Sequence, residues 1–160
     1  MATGLTKARP PRAMRRAGEG GRRIEYLAFS LAGETYAVQI AFVAEILKPP
    51  PITEVPRAPR NVLGVISVRG RLVTVLDLRR RFRLTESPID RKSRILLADS
   101  GHDEQIGLLV DEVLQVHRLA ESEIEPANAL GGDQPAHIAG IGRPPGVLLI
   151  LIDLRPILEV

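Results

Sequence analysis

From Ile24 onward the chain is a succession of short apolar runs separated by Gly, Pro or charged residues, and the spacing inside the runs is that of strands. Tyr36, Val38 and Ile40 alternate with Ala37 and Gln39, the period of two that sends successive side chains to opposite faces. Ile24 to Leu31 and Thr35 to Ile40 therefore predict a hairpin, closed by Ala32-Gly33-Glu34 with the Gly that a tight reversal needs. Ala41 to Leu47 continues as a bent strand or a helical turn until Pro49-Pro50-Pro51 forces extended backbone. A second hairpin, Gly64 to Val68 and Leu72 to Leu76, surrounds Arg69-Gly70-Arg71. Asp77 follows as the N-cap of a short helix, Leu78 to Phe82, with Leu78 and Phe82 on one face and Arg79, Arg80 and Arg81 mostly outward.

The same order recurs. Gly70 to Arg79 lies 76 residues before Gly146 to Arg155, with Gly, Leu, Asp, Leu and Arg at matching places, and Gly64 and Gly140 keep that offset. Leu27-Ala28, Ser30, Glu34 and Val43 match Leu97-Ala98, Ser100, Glu104 and Val113 at an offset of 70. The difference falls in the Ala/Gly/Pro-rich stretch Pro126 to Pro135, where insertion is cheap. The body reads as a pseudo-duplication, about 24–90 and 91–160, with second-half strands at Arg94 to Ala98, Gln105 to Val110, Glu112 to Arg118, His137 to Gly142 and Val147 to Ile152, then a helix capped by Asp153. Val147 to Ile152 is apolar on both faces and should be covered on each side. Short strands with Gly and Pro turns predict an all-β fold of two small five-stranded barrels packed as one unit.

Composition narrows what such a fold can do. Of 160 residues 44% are hydrophobic, yet only 3% are aromatic, so Val, Ile and Leu build the core and no aromatic platform for single-stranded nucleic acid is expected. Zero Cys excludes disulfides, thiolate metal sites and a Cys nucleophile, and fits a reducing compartment; the expected location is cytoplasmic. The net charge of +3 is uneven: residues 1–23 hold seven basic side chains against Glu19 alone, a net of +6, which leaves the body at −3. That Gly/Pro/Arg/Ala segment lacks apolar periodicity and is expected to be a disordered tail. It has no apolar core to make it a secretory signal, and no run approaches the length of a membrane span.

Chemistry-bearing patterns are sparse. His102, His117 and His137 share no ligand spacing with one another or with a carboxylate, and they are read as ordinary surface histidines. Asp111 and Glu112 are neighbours in a strand region, facing opposite ways, and read as structural turn residues rather than an acid–base pair. Gly140-Ile-Gly142 precedes a strand with no Lys-Ser/Thr, so it is not a phosphate loop, and no Ser sits in a Gly-x-Ser-x-Gly frame. No catalysis, metal or cofactor is expected.

The stretch Gly64-Val-Ile-Ser-Val-Arg-Gly-Arg-Leu-Val-Thr-Val-Leu-Asp-Leu-Arg79 resembles the signature of CheW-like domains, Gly-x-x-Asn-x-Arg-Gly-x-x-x-Pro-x-Val-Asp-Leu. Phe29 to Ile40, Val43-Ala-Glu-Ile46, Ile106 to Val113, Ile138-Ala-Gly-Ile141 and Ile150 to Leu154 resemble further parts of that family in order, over about residues 24–160. Ser67 stands where the motif has Asn, and Val75 or Thr74 where Pro is common. The resemblance implies two SH3-like five-stranded barrels. It also implies a non-catalytic adaptor at cytoplasmic receptor arrays, joining the tip of a methyl-accepting chemoreceptor to the regulatory domain of a CheA-like histidine kinase. Carried over by position, it places Val43, Glu45, Gly64 and Arg69 on the receptor-facing surface and leaves the kinase surface unassigned. An adaptor retaining one of the two interfaces, and a small-barrel nucleic-acid binder using the basic tail, are the alternatives, the latter opposed by the acidic body.

Overall fold

The computed structural model describes residues 22–101 and 103–159. The tail expected over 1–23 therefore lies outside the described residues up to position 21, as do His102 and Val160. The first strand among the described residues begins at Arg23, inside the expected tail, and the Arg23 guanidinium pairs with Glu123 at 2.6 Å. The strands are β1 (Arg23–Leu31), β2 (Glu34–Gln39), β3 (Val43–Leu47), β4 (Val62–Val68), β5 (Arg71–Asp77), β6 (Arg94–Asp99), β7 (Gln105–Val110), β8 (Glu112–Ala120), β9 (Ile124–Pro126), β10 (Ile138–Gly142) and β11 (Leu149–Ile152). Two one-turn helices, α1 (Leu78–Arg81) and α2 (Arg155–Leu158), follow β5 and β11. The ambiguous segment after β2 is both things in turn, a 3₁₀ turn over Ile40–Phe42 and then β3.

The fold is all-β with short helices. A six-stranded sheet runs β9-β10-β11-β2-β1-β8 and a five-stranded sheet β3-β6-β7-β5-β4. The outer strands of the first, β8 and β9, are joined in sequence by the single 3₁₀ turn Glu121–Glu123, which curls the sheet into a barrel. In the second, Thr53 reaches from the β3–β4 connection to bridge Val65 on β4. Neither sheet is built from one half of the chain: the opening hairpin of each half pairs with strands of the other. Physically, this exchange gives each hairpin a parallel partner and couples the halves. The registers obey the internal repeat. Thr74 and Val75 pair with Ile106 and Gly107, and the same 76- and 70-residue offsets give the observed pairs of Ile150 and Leu151 with Tyr36 and Ala37.

Alternation along the strands sorts the core into three. Tyr26, Ala28, Ala37, Leu149 and Leu151 fill the six-stranded barrel, while Ile66, Val73, Val75, Ile95 and Leu97 fill the five-stranded one. The intervening residues, Leu27, Phe29, Leu31, Leu96, Ala98 and Leu108 among them, meet in a joint between the barrels, plugged by Leu78, Leu154 and Ile157 from the helical ends. The run that is apolar on both faces is thereby explained, since Leu149 and Leu151 line a barrel while Ile150 and Ile152 face the joint. Phe29, Tyr36, Phe82 and His137 form a ladder at ring spacings of 6.0, 5.4 and 4.1 Å, across β1, β2, the end of α1 and the start of β10. His137 is thus no surface residue; it is 9% exposed and stacked on Phe82 because the exchanged strands carry it over the other half's helix.

Candidate functional site

Two candidate residues distant in sequence meet at the open side of the five-stranded barrel. Glu45 lies in the middle of β3, and Arg69 is the first residue of the two-residue turn between β4 and β5. Since β3 and β4 are the outer strands of that sheet, the turn swings Arg69 across the gap between them. Its Nη2 donates to Glu45 Oε1 at 2.5 Å and its Nη1 to Oε2 at 3.2 Å, a bidentate fork. The hydrogen bonds from Arg69 hold the Glu45 carboxyl below the ordinary carboxylate range. Both side chains stay exposed, 68% for Arg69, so the pair does little for stability and its consequence is geometric: a fixed, paired charge on an accessible rim.

The turn itself carries strain at this residue. Arg69 has φ +49° and Gly70 φ +82°, the paired positive values of a type I′ reversal, in which Asn, Asp or Gly is the unstrained choice at the first place. The hairpin turn Ala32-Gly33 repeats the conformation at +50° and +84°.

The other two candidates lie differently. Val43 sits beside a bulge in β3 and turns its side chain into the joint between the barrels, half buried. Gly64 is buried, because a Cβ there would lie 2.8 Å from Ile52 Cγ2 and inside contact with the Thr53 carbonyl oxygen. Gly140 meets the Glu125 carbonyl in the equivalent way. Both glycines admit the segment that closes a barrel, so Gly64 presents no surface of its own.

Phe42 in the 3₁₀ turn before β3, Ile46 on the face of β3 opposite Glu45, and Leu72 just beyond the Arg69 turn, 78% exposed, are uncovered apolar side chains. An open groove of about 710 Å³ runs from Arg69 along β5 to the β6–β7 turn, lined by Val68, Leu72, Thr74, Asp99, Glu104 and Ile106. The sequence pattern did not single out Phe42, Ile46 or Leu72. A signal existed for Leu72, an apolar residue next to a turn on the outward face of a strand whose inward positions are Val73 and Val75.

Arg79, expected to point outward, does not. Its Nε and Nη2 donate to Asp111 Oδ1 and Oδ2 at 2.9 and 2.5 Å, and its Nη1 to the Thr85 carbonyl at 2.5 Å; its side chain is 16% exposed. The reason is the exchanged topology, which brings the residue after β7 beside the start of α1. Burial raises the Asp111 carboxyl, but the Arg79 and Ala32 hydrogen bonds outweigh it and hold the group below its ordinary value. Among the described residues, no group of three or more His, Asp or Glu side chains is placed to hold a metal ion, and no helix is long and apolar enough to cross a membrane.

Residues 25–160 match the family model described as a CheW-like domain. The chain is 34% identical over 134 residues to the chemotaxis protein CheW of Bacillus subtilis, covering 83% of this chain and 85% of that protein. With CheW of Helicobacter pylori it shares 29% identity over 137 residues, 85% of this chain and 82% of the other. The crystal structure of the scaffolding protein TtCheW from Thermoanaerobacter tengcongensis superposes with a TM-score of 0.78 at 32% identity, covering 86% of this chain and 94% of that one.

Proposed function

This chain belongs to the CheW-like domain family, and from that premise we propose how its surfaces divide the work. It is a chemotaxis coupling adaptor, a scaffold whose output is the geometry in which it holds other proteins. The partners are the cytoplasmic tip of a methyl-accepting chemoreceptor and the regulatory domain of a CheA-like histidine kinase, met at receptor arrays in the cytoplasm, and the chain turns over no substrate itself.

The receptor tip docks at the Glu45–Arg69 rim. The observation that supports this is the convergence of two residues 24 positions apart into one exposed ion pair, with the Arg held in a backbone conformation that favours other residues. A helical tip presents an apolar stripe bordered by charges; Phe42 and Leu72 offer the complementary contact, and the charge pair sets register and orientation. Val43 and Gly64 act behind that face, the first by filling the joint beneath β3, the second by letting β4 lie against Thr53.

Titration of the purified receptor signalling fragment against this chain tests the assignment. Arg69→Glu places two carboxylates face to face on the rim and is expected to weaken binding about tenfold or more with melting temperature nearly unchanged. Unchanged affinity in a folded Arg69→Glu protein contradicts the receptor assignment.

A further inference from the structure

Within the described residues the chain passes between the barrels at two places, and they are built differently. One is the 3₁₀ turn Ile40–Phe42, which carries no charged side chain and no side-chain cap. The other is a single residue: β7 ends in the five-stranded sheet at Val110 and β8 begins in the six-stranded sheet at Glu112, so Asp111 alone spans the crossing.

Asp111 is held from both sides. Its N–H donates to the Ser30 carbonyl at 3.1 Å, and its Oδ2 accepts from the Ala32 N–H at 2.8 Å, both in the β1–β2 hairpin of the six-stranded barrel. From the five-stranded barrel, Arg79 on α1 grips both carboxylate oxygens while its third arm holds the Thr85 carbonyl in the connection to β6. The Arg79 backbone N–H is itself fixed on Asp77 Oδ1 at 2.9 Å.

The internal repeat gives a control. Arg155 occupies the place of Arg79 76 residues on, yet it folds back onto its own Asp153 at 2.8 Å with its side chain 87% exposed, and makes no reach to the other barrel. The bridge is therefore not a by-product of the duplicated motif. Among the described residues it exists at one joint only, the joint made of one residue.

We propose that Arg79 and Asp111 are positioning residues of the adaptor: their ion pair fixes the angle between the two barrels, and with it the placement of the Glu45–Arg69 face relative to every surface on the six-stranded barrel. A scaffold works by that angle. A bidentate guanidinium–carboxylate pair constrains direction as well as distance, which a hydrophobic joint of sliding Leu and Ile side chains does less sharply. The inference about the angle stands on the fold; only its consequence for signalling rests on the adaptor reading.

The chain has no cysteine, so Ser67→Cys on β4 and Gln115→Cys on β8, both exposed, can carry spin labels on the full protein, one per barrel. Pulsed electron paramagnetic resonance then reads the inter-barrel distance. A single narrow distribution is expected with the clasp intact. Arg79→Ala should at least double its width while circular dichroism stays that of the folded chain, and Arg79→Lys, which keeps the charge without the fork, should fall between. Asp111→Asn retains an acceptor for the Ala32 N–H and serves if Arg79→Ala does not fold.

The second readout is kinase phosphorylation in a mixture of receptor fragment, kinase and this chain. Arg79→Ala is expected to leave pairwise receptor affinity within about twofold while receptor-dependent stimulation falls at least fivefold. A distance distribution unchanged in folded Arg79→Ala and Asp111→Asn overturns the clasp. Failure of the unsubstituted chain to bind the receptor fragment overturns the proposed function instead, and leaves the distance result to judge the clasp alone.

Discussion

Replacing Gly64 by Ala adds one methyl group where the barrel has no room for it. The new Cβ would stand 2.8 Å from Ile52 Cγ2, 2.9 Å from the Thr53 carbonyl carbon and closer still to the Thr53 oxygen. That carbonyl cannot turn aside, because it accepts from the Val65 N–H at 2.8 Å while the Thr53 N–H donates to the Val65 carbonyl at 2.9 Å. Relief requires giving up this bridge, roughly 2 kcal/mol for two backbone hydrogen bonds, and repacking Ile52 at an overpacking cost of about 1–3 kcal/mol. The total of roughly 3–5 kcal/mol, at about 2–4 °C per kcal/mol for a chain of this size, lowers the melting temperature by about 10 °C. Differential scanning calorimetry of Gly64→Ala, Gly140→Ala and Gly70→Ala checks the reasoning. Gly140→Ala should fall similarly, since its Cβ meets the Glu125 carbonyl, whereas Gly70→Ala meets no atom and bears only the cost of φ +82°, about 1–2 kcal/mol. Receptor affinity of the folded Gly64→Ala fraction should match the unsubstituted chain. A Gly64→Ala protein melting within about 2 °C of the parent would refute the close-approach argument, and one that melts normally but loses receptor binding would return Gly64 to the docking surface.

Arg69→Gly should hold or slightly raise the melting temperature, because Gly relieves the positive φ and the lost ion pair is exposed, while receptor binding falls; a clear drop in melting temperature would show that the pair braces the barrel. Burial, and then the Arg81 charge, lower the pKa of His137, so the unfolded chain takes up a proton near pH 6.5 while the folded chain resists it. Stability is therefore full above that pH and declines as pH falls through it; His137→Phe, which can keep the stack on Phe82, should flatten the melting profile between about pH 7.5 and 5, and an unaltered slope would contradict the burial argument. Asp111 acts at lower pH with the same sign: its folded pKa is depressed, so its contribution is present above the ordinary carboxyl range and is lost as pH falls below about 4, and Asp111→Asn should reduce that acid-limb slope in urea titrations. Leu96→Ala, in the joint between barrels and fully buried, should cost about 2–5 kcal/mol in chemical denaturation, and a cost below about 1 kcal/mol would mean the joint collapses freely.

What could be read from the chain without a structure followed from local rules. Alternation located the described strands other than the three-residue β9, which falls where the sequence predicts a loop; Gly33 and Gly70 located the reversals, and Asp77 the helix start, where its carboxylate does accept the Arg79 N–H. Once one parallel contact is known, the offsets of 70 and 76 give the register of the other. The exchange of hairpins between halves was not legible, since parallel pairing between β5 and β7 leaves no short-range trace. Two misplaced side chains derive from it. Nothing near Arg79 or His137 in sequence covers them, so the local pattern makes both surface residues; the residues that cover them, Asp111 for one and Phe82 for the other, come from the opposite half. Of the candidate site, position and resemblance supplied Glu45 and Arg69, but their bidentate contact depends on the curl of a sheet that neither residue type specifies. Gly64 is buried by a contact that no local pattern announces, the Thr53 carbonyl beside it.

The most direct test of the account is receptor-controlled autophosphorylation of the kinase, measured in a reconstituted mixture of receptor signalling fragment, CheA-like kinase and this chain. Stimulation should require all three components, fall to the receptor-free level with Arg69→Glu, and survive Lys92→Ala, an exposed substitution away from the rim. Stimulation that proceeds equally well without this chain, or that is indifferent to Arg69→Glu, would contradict the claim that the molecule couples receptor to kinase through the Glu45–Arg69 face.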